Sequence, residues 1–135
     1  MAKPNPALRF AERINAHDND GLVELMTPDF TFVDSLGDRF VRPAVENGWS
    51  QYFEMVPDYW IRVDRSITEG DTTILIGSAG GTYASKGAPK RSENRWETPA
   101  VWTARIRGTK VAEWRIYSDN EPIRATMRKV NGRSD

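Results

Sequence analysis

The chain has 135 residues, 39% hydrophobic and 28% charged, which suits one soluble globular domain, 1–135, with a core of its own. Its 19 basic and 19 acidic residues cancel, which argues against nucleic acid or an anionic membrane as the main partner. With no cysteine and one histidine, the chain has no means of making a disulfide, a thiolate site or a multi-histidine metal site, so no metal and no cofactor are expected.

No apolar run is long enough for a membrane span. The start, Met1-Ala2-Lys3-Pro4, lacks the apolar centre of a secretory signal, and a cytoplasmic location is expected. Asn5-Pro6 reads as a cap followed by proline at the first helical position. Ala7, Phe10, Ala11 and Ile14 then form one apolar stripe, predicting a helix to about His17. Asp18 or Asn19 caps a second, shorter helix through Leu22, Val23, Leu25 and Met26, which Thr27-Pro28 should stop.

Phe30-Thr31-Phe32-Val33-Asp34 alternates like a strand, with Phe30, Phe32 and Asp34 on one face. If the phenylalanines face the core, Asp34 does too. A carboxylate there is costly unless it is hydrogen-bonded, protonated or set in a ligand cavity. After a turn and short strand from Gly37 to Arg42, Pro43 opens a third helix whose buried face carries Val45, Trp49, Tyr52, Phe53 and Val56.

Beyond Pro57 the period changes. Tyr59, Ile61, Val63 and Ile67 alternate with Trp60, Arg62, Asp64 and Ser66, and Glu69-Gly70-Asp71 makes a hairpin turn. A long strand runs from Thr72 to about Ala84, with Gly80-Gly81 read as a bulge or bend. Lys86 to Ser92 is a polar loop. Its Lys86, Lys90 and Arg91, with Arg95 beyond, read as solvated or as an anion-binding lip. The next strand, Glu93 to Arg107, places Trp96, Thr98, Ala100, Trp102, Ala104 and Ile106 on one face. Arg107-Gly108-Thr109 turns the chain into a last strand, Lys110 to Ser118. Asn120-Glu121-Pro122 then opens a helix with Ile123, Met127 and Val130 inside.

Runs of helices and runs of strands indicate an α+β fold. A strongly curved antiparallel sheet, wrapped over the N-terminal helices and followed by a C-terminal helix, makes a cone whose open end is a pocket. Five tryptophans supply large rigid walls, either for that pocket or for a subunit interface.

Three stretches carry a resemblance: Ile14-Asn15-Ala16-His17-Asp18, Pro28-Asp29-Phe30-Thr31-Phe32-Val33-Asp34, and Gly108-Thr109-Lys110-Val111-Ala112-Glu113-Trp114-Arg115. Over roughly residues 5 to 130 the chain resembles the nuclear transport factor 2-like superfamily, which includes ketosteroid isomerase and the SnoaL-like polyketide cyclases. The resemblance implies the cone fold, a small hydrophobic molecule as ligand, and a homodimer through the outer sheet face. It also implies that Val33-Asp34-Ser35-Leu36-Gly37 matches the segment holding the isomerase's general-base aspartate. The positions of that enzyme's two oxyanion donors correspond to Phe10 and Trp102. Two catalytic positions of the cyclases correspond to Ile116 and Trp102. The chain thus departs from both catalytic sets and keeps Asp34.

Two readings of Asp34 stand open: a desolvated base, or a carboxylate capping the turn from Ser35 to Asp38. The implied lining of a substrate pocket is Phe10, Ile14, Phe30, Phe32, Trp49, Tyr52, Phe53, Trp102, Trp114 and Ile116. Within it, Tyr52, Trp49 or Trp102 would polarise a substrate oxygen. His17 reads as a helix C-terminal residue favoured by the dipole, and Asp119 as an N-cap near the pocket end. Three functions fit. One is an isomerase, cyclase or lyase moving a proton on a hydrophobic carbonyl compound. Another is a non-catalytic binding or dimerisation module. The third is a hydrolase or dehydratase that activates water. An open cavity favours the first and third. A cavity filled by Trp96 and Trp102 favours the second.

Overall fold

The computed structural model describes residues 5–84 and 92–132. In chain order the elements are α1 (Pro6–Asn15), α2 (Asn19–Leu25), β1 (Met26–Val33), β2 (Arg39–Val41), α3 (Arg42–Met55), β3 (Trp60–Glu69), β4 (Thr72–Thr82), a 3-10 turn (Ser92–Asn94), β5 (Arg95–Arg107), β6 (Lys110–Ser118) and α4 (Glu121–Gly132). The strands form one six-stranded sheet in the order β2-β1-β6-β5-β4-β3. This is the expected α+β cone, with one correction: the sheet is mixed, because β1 runs parallel to β6 while the other pairs are antiparallel. A parallel pair needs a long crossover, and the chain between β1 and β6 supplies it.

Helix α1 starts as its residues dictate. The Asn5 side chain accepts from the Ala7 amide at 2.7 Å, and Pro6 needs no amide partner. Its stripe of Ala7, Phe10, Ala11 and Ile14 is buried. The helix ends earlier than expected and in a Schellman motif: the Asp18 amide donates to Arg13 and the His17 amide to Ile14, each at 3.0 Å. His17 occupies the left-handed position, φ 53°, where glycine is usual. Its ring repays that strain by stacking on Phe53 at 4.3 Å and meeting the Tyr59 carbonyl through Nε2 at 2.7 Å. His17 therefore turns the chain; it is not the dipole-favoured last residue of a helix.

Helix α2 stops at Leu25, not at Thr27-Pro28, and Pro28 lies inside β1. The β1–β6 register shifts between Met26 and Thr31, so Pro28 falls where no regular ladder bond is required of it. The Gly80-Gly81 pair is not a bulge. Register with β5 continues through Gly80↔Glu97 and Gly81↔Trp96. The glycines serve close approach: a Cβ at Gly80 would meet Trp60 Cζ2 at 2.7 Å, and one at Gly81 would overlap Val56 Cγ1. The irregularities fall instead between Val63 and Arg65 and between Arg105 and Ile106. In β5 the expected alternation holds, with Trp96, Thr98, Ala100, Trp102 and Ala104 buried. Asp119 accepts from the Glu121 amide at 2.9 Å as α4 begins. Of the expected polar loop from Lys86 to Ser92 and its cationic lip, Lys86, Lys90 and Arg91 lie outside the described residues, while Ser92 opens the 3-10 turn and Arg95 is the exposed first residue of β5.

Two glycines make opposite predictions. A Cβ at Gly77 would overlap the Arg62 carbonyl oxygen of the neighbouring strand, whereas one at Gly48, inside α3, meets nothing within 4 Å. Gly77→Ala should destabilise the protein by about 1–3 kcal/mol through forced strand separation. Gly48→Ala should stabilise it by about 0.5–1 kcal/mol through reduced unfolded-state entropy. Urea unfolding of the two variants measures both.

Candidate functional site

Between the concave face of the sheet and α3 lies a cavity of about 630 Å³. The sheet contributes Phe32 from β1, Phe40 from β2, Trp102 from β5, and Trp114 and Ile116 from β6. The helix contributes two neighbouring stripes. Val45, Trp49 and Tyr52 are the apolar stripe read from the sequence, and Ala44, Asn47, Gly48 and Gln51 lie beside it. Polar groups enter from three other places: Asp34 and Ser35 after β1, Tyr59 just before β3, and Asn120 just before α4.

Asp34 is not the core-facing carboxylate that strict alternation implies. Strand β1 ends at Val33, and the chain turns at once: the Asp34 amide donates to Asp38 and the Gly37 amide to Asp34, each at 3.0 Å. Gly37 at φ 88° permits that turn. Asp34 is consequently half-buried, with Oδ1 accepting from the Leu36 amide at 2.9 Å and the Asp38 amide at 3.0 Å. The capping arrangement is therefore present. Oδ2 accepts no hydrogen bond among the described residues, and the side chain lines the cavity. One oxygen holds the turn and the other is available to a ligand. Beside it the Ser35 hydroxyl accepts from Asn120 Nδ2 at 2.5 Å, and Asn120 Oδ1 accepts from Ser118 Oγ at 3.3 Å. This link ties the turn after β1 to the junction of β6 and α4.

The two tyrosines meet edge to face, with ring centroids 4.9 Å apart and planes at 88°. Burial pushes both phenols well above their ordinary pKa, and in Tyr59 the neighbouring Tyr52 adds to it. Both therefore stay protonated and remain donors throughout the physiological range. Among the described residues neither hydroxyl has a hydrogen-bond partner.

Of the predicted lining, Phe32, Trp49, Tyr52, Trp102, Trp114 and Ile116 face the cavity together with Asp34. Phe10, Ile14 and Phe30 do not reach it. They are fully buried behind the wall, with Phe10 packed 4.5 Å from Trp114 and 5.9 Å from Phe30. Phe53 is turned aside by its stack on His17. Trp96 packs against Tyr59 at 6.2 Å, outside the lining, so Trp102 is a wall and the two tryptophans do not plug the space. The Trp49 and Trp96 indole N–H groups are buried without a partner among the described residues. Asp119 does not join Asp34 in the lining.

Sequence reasoning missed Ser35, Phe40, Ala44, Val45, Asn47, Gly48, Gln51, Tyr59 and Asn120 as lining residues. For α3 a signal existed: Ala44, Gly48 and Gln51 recur at helical spacing next to the apolar stripe, and small residues leave room. Tyr59 shares the inward parity of Ile61 and carries a hydroxyl there. No local signal marks Asn120.

A second, shallower cleft of about 500 Å³ lies between Asn15–His17 and Pro57–Ile61. Its polar groups serve the fold. Asn15 brackets Ile61, donating to its carbonyl at 2.9 Å and accepting from its amide at 2.7 Å, and Asp58 accepts from the Thr82 amide and hydroxyl. Among the described residues no cluster of three or more His, Asp or Glu is arranged to hold a metal ion. Among them, too, no helix is long and apolar enough to cross a membrane.

No curated protein matches the chain by sequence. Solved structures do match by shape. A protein with a ketosteroid isomerase-like fold from Catenulispora acidiphila, solved in complex with trimethylamine, superposes with a TM-score of 0.77 at 20% identity, covering 93% of each chain. IdmH from Streptomyces antibioticus, a candidate polyketide cyclase, gives 0.74 at 22% identity over 90% of this chain and 95% of that one. AclR from Streptomyces galilaeus, a candidate hydroxylase, gives 0.76 at 17% identity over 92% and 79%. At these identities the likeness establishes the fold. Residues 7–114 match the family model of the SnoaL-like domain, and the chain belongs to that family, within the nuclear transport factor 2-like superfamily.

Proposed function

We propose that this protein binds a small hydrophobic carbonyl compound in the cavity and acts on it by cofactor-independent proton transfer, as an isomerase, cyclase or lyase, with Asp34 as the base. The observation that carries this reading is a mostly aromatic cavity, about 630 Å³ in volume, with a carboxylate oxygen left free in its lining. That volume lies within the roughly 300–1,000 Å³ range of small-molecule sites.

The chemistry asks two things of the residues. A carbon next to a carbonyl loses its proton only if the developing oxyanion is stabilised, and the base must be held at that carbon. The Leu36 and Asp38 amides fix the Asp34 carboxylate through Oδ1, leaving Oδ2 to take a proton and return it at another carbon. Tyr52 and Trp102 line the same space and carry donors able to polarise the oxygen, whereas the Trp49 indole N–H is buried in the wall. The apolar walls exclude water, which strengthens those hydrogen bonds.

A second reading has its own support. The turn uses Asp34 Oδ1 fully, as a purely structural cap would, and this favours a non-catalytic ligand-binding module. We also infer a homodimer through the outer sheet face. There Ile74, Ile76, Val101 and Tyr117 are set among Arg62, Arg105 and Arg115, and Arg115 lies 4.7 Å over the Tyr117 ring. An apolar centre with a polar rim suits such a contact.

Asp34→Asn keeps the turn's acceptor and removes the base. Turnover of a bicyclic aromatic ketone with an exchangeable α-hydrogen should fall by about 10²–10⁴, read as solvent deuterium incorporation by NMR. Binding should persist. Retained turnover would remove Asp34 from the mechanism, and binding with no exchange in the parent protein would favour the module. Sedimentation velocity should give a two-chain species that Val101→Glu converts to one chain.

A further inference from the structure

We infer that the hydroxyls of Tyr52 and Tyr59 together form the subsite that receives one neutral carbonyl oxygen of the ligand. The inference rests on the reading of the cavity as a ligand site and names the atoms that decide what enters it.

Four observations converge. Tyr52 comes from α3 and Tyr59 from the start of the sheet's far edge, yet their rings meet at 4.9 Å and both line the cavity. Tyr59 is 6% exposed. Neither hydroxyl is sealed off as the Trp49 and Trp96 indole N–H groups are, so each keeps surface that a ligand's acceptor can reach. Neither hydroxyl has a partner among the described residues. Two phenol donors thus belong to neighbouring rings of one cavity lining, with no acceptor for either among the described residues. Their raised pKa values keep them protonated, so they donate and do not themselves carry charge.

Two donors from different elements match the two lone pairs of one carbonyl oxygen. The charge balance of the lining narrows the ligand further. Among the described residues it holds the Asp34 carboxylate and no lysine or arginine. A carboxylate or phosphate ligand would meet like charge there with no cation of the described lining to offset it, which favours a neutral oxygen, on a ketone or aldehyde, that gains charge only during reaction. The remaining walls, Trp102, Trp114, Ile116 and Phe32, are flat or apolar and suit a ring system.

The probe is 6-acetyl-2-(dimethylamino)naphthalene, a neutral bicyclic ketone. Its fluorescence reports binding and its carbonyl stretch reports hydrogen bonding. The full-length protein should bind it with a carbonyl band lowered from its position in an alkane solvent. Ile116→Trp, which fills the cavity, should abolish that binding. Tyr52→Phe and Tyr59→Phe should each weaken binding about 2–10-fold and move the band partway back, and the double variant should return it to the alkane position. Neither substitution removes a hydrogen bond among the described residues, so thermal midpoints should stay level or rise.

Binding that Ile116→Trp abolishes, with affinity and band unchanged in the double variant, overturns the tyrosine subsite and leaves the cavity reading standing. Lowered thermal midpoints in both Phe variants, with no band change, assign the hydroxyls to the fold and overturn it as well. Failure of the probe to bind, or binding that survives Ile116→Trp, overturns both readings.

Discussion

The packing of Phe10 on Trp114 is the contact on which the rest of the structure depends. The ring of α1 lies 4.5 Å from that of β6, and it also meets Phe30 of β1 at 5.9 Å and Trp49 of α3 at 6.4 Å. Phe10, Phe30 and Trp114 are at most 1% exposed. One side chain thereby joins two helices to the two parallel strands at the middle of the sheet. Burying a side chain of this size stabilises a fold by about 1.5–3 kcal/mol. The cluster also sets the distance between α3 and the sheet. Trp49 and Trp114 face it with one side and the cavity with another. Among the residues α3 turns toward the space beyond them, Ala44 and Gly48 are small and help to leave it open.

The far edge of the sheet is held by a different device. On the edge away from β4, the start of β3 meets side chains from the end of α1 and the turn after it. Asn15 satisfies both the amide and the carbonyl of Ile61, and His17 reaches the Tyr59 carbonyl from a left-handed backbone position. An unpaired strand end would otherwise leave its backbone groups without partners. The same contacts fix where Tyr59 stands, and so they place a phenol beside Tyr52. A residue with an unusual φ, far from any free carboxylate, is in this way connected to the chemistry of the cavity.

At the Asp34 end, order comes from short polar links. The Asp34 carboxylate closes its own turn, and the Ser35–Asn120 hydrogen bond joins that turn to the start of α4. The cavity lining therefore carries a carboxylate, hydroxyl and amide from Asp34, Ser35 and Asn120, the Asn47 and Gln51 amides from α3, and two phenols, with aromatic walls making up most of the rest. Such a lining suits the proton transfer proposed above. Phe10, which the resemblance sets at the position of ketosteroid isomerase's oxyanion-donating tyrosine, belongs wholly to the core. The phenols that line the cavity come instead from α3 and from the residue just before β3.

Helical stripes, strand alternation and turn residues are local properties, and they alone determined most of the architecture. The stripe of Ala7, Phe10, Ala11 and Ile14 predicted α1, and the inward run from Trp96 to Ala104 predicted β5, because both periods follow from backbone geometry that neighbouring residues share. Asp34 was legible as an unusual acid, though its alternation misled. Parity holds only while a strand continues, and β1 ends one residue earlier. Phe10, Ile14, Phe30 and Phe53 read as lining for a related reason: periodicity tells that a side chain faces inward, not whether another ring stands in front of it. The parallel pairing of β1 with β6, the meeting of Tyr52 with Tyr59 and the reach of Asn120 to Ser35 join residues far apart in the chain. Only the tertiary structure decided these, because a cavity is the volume that packing leaves unfilled, and its extent depends on every element around it at once.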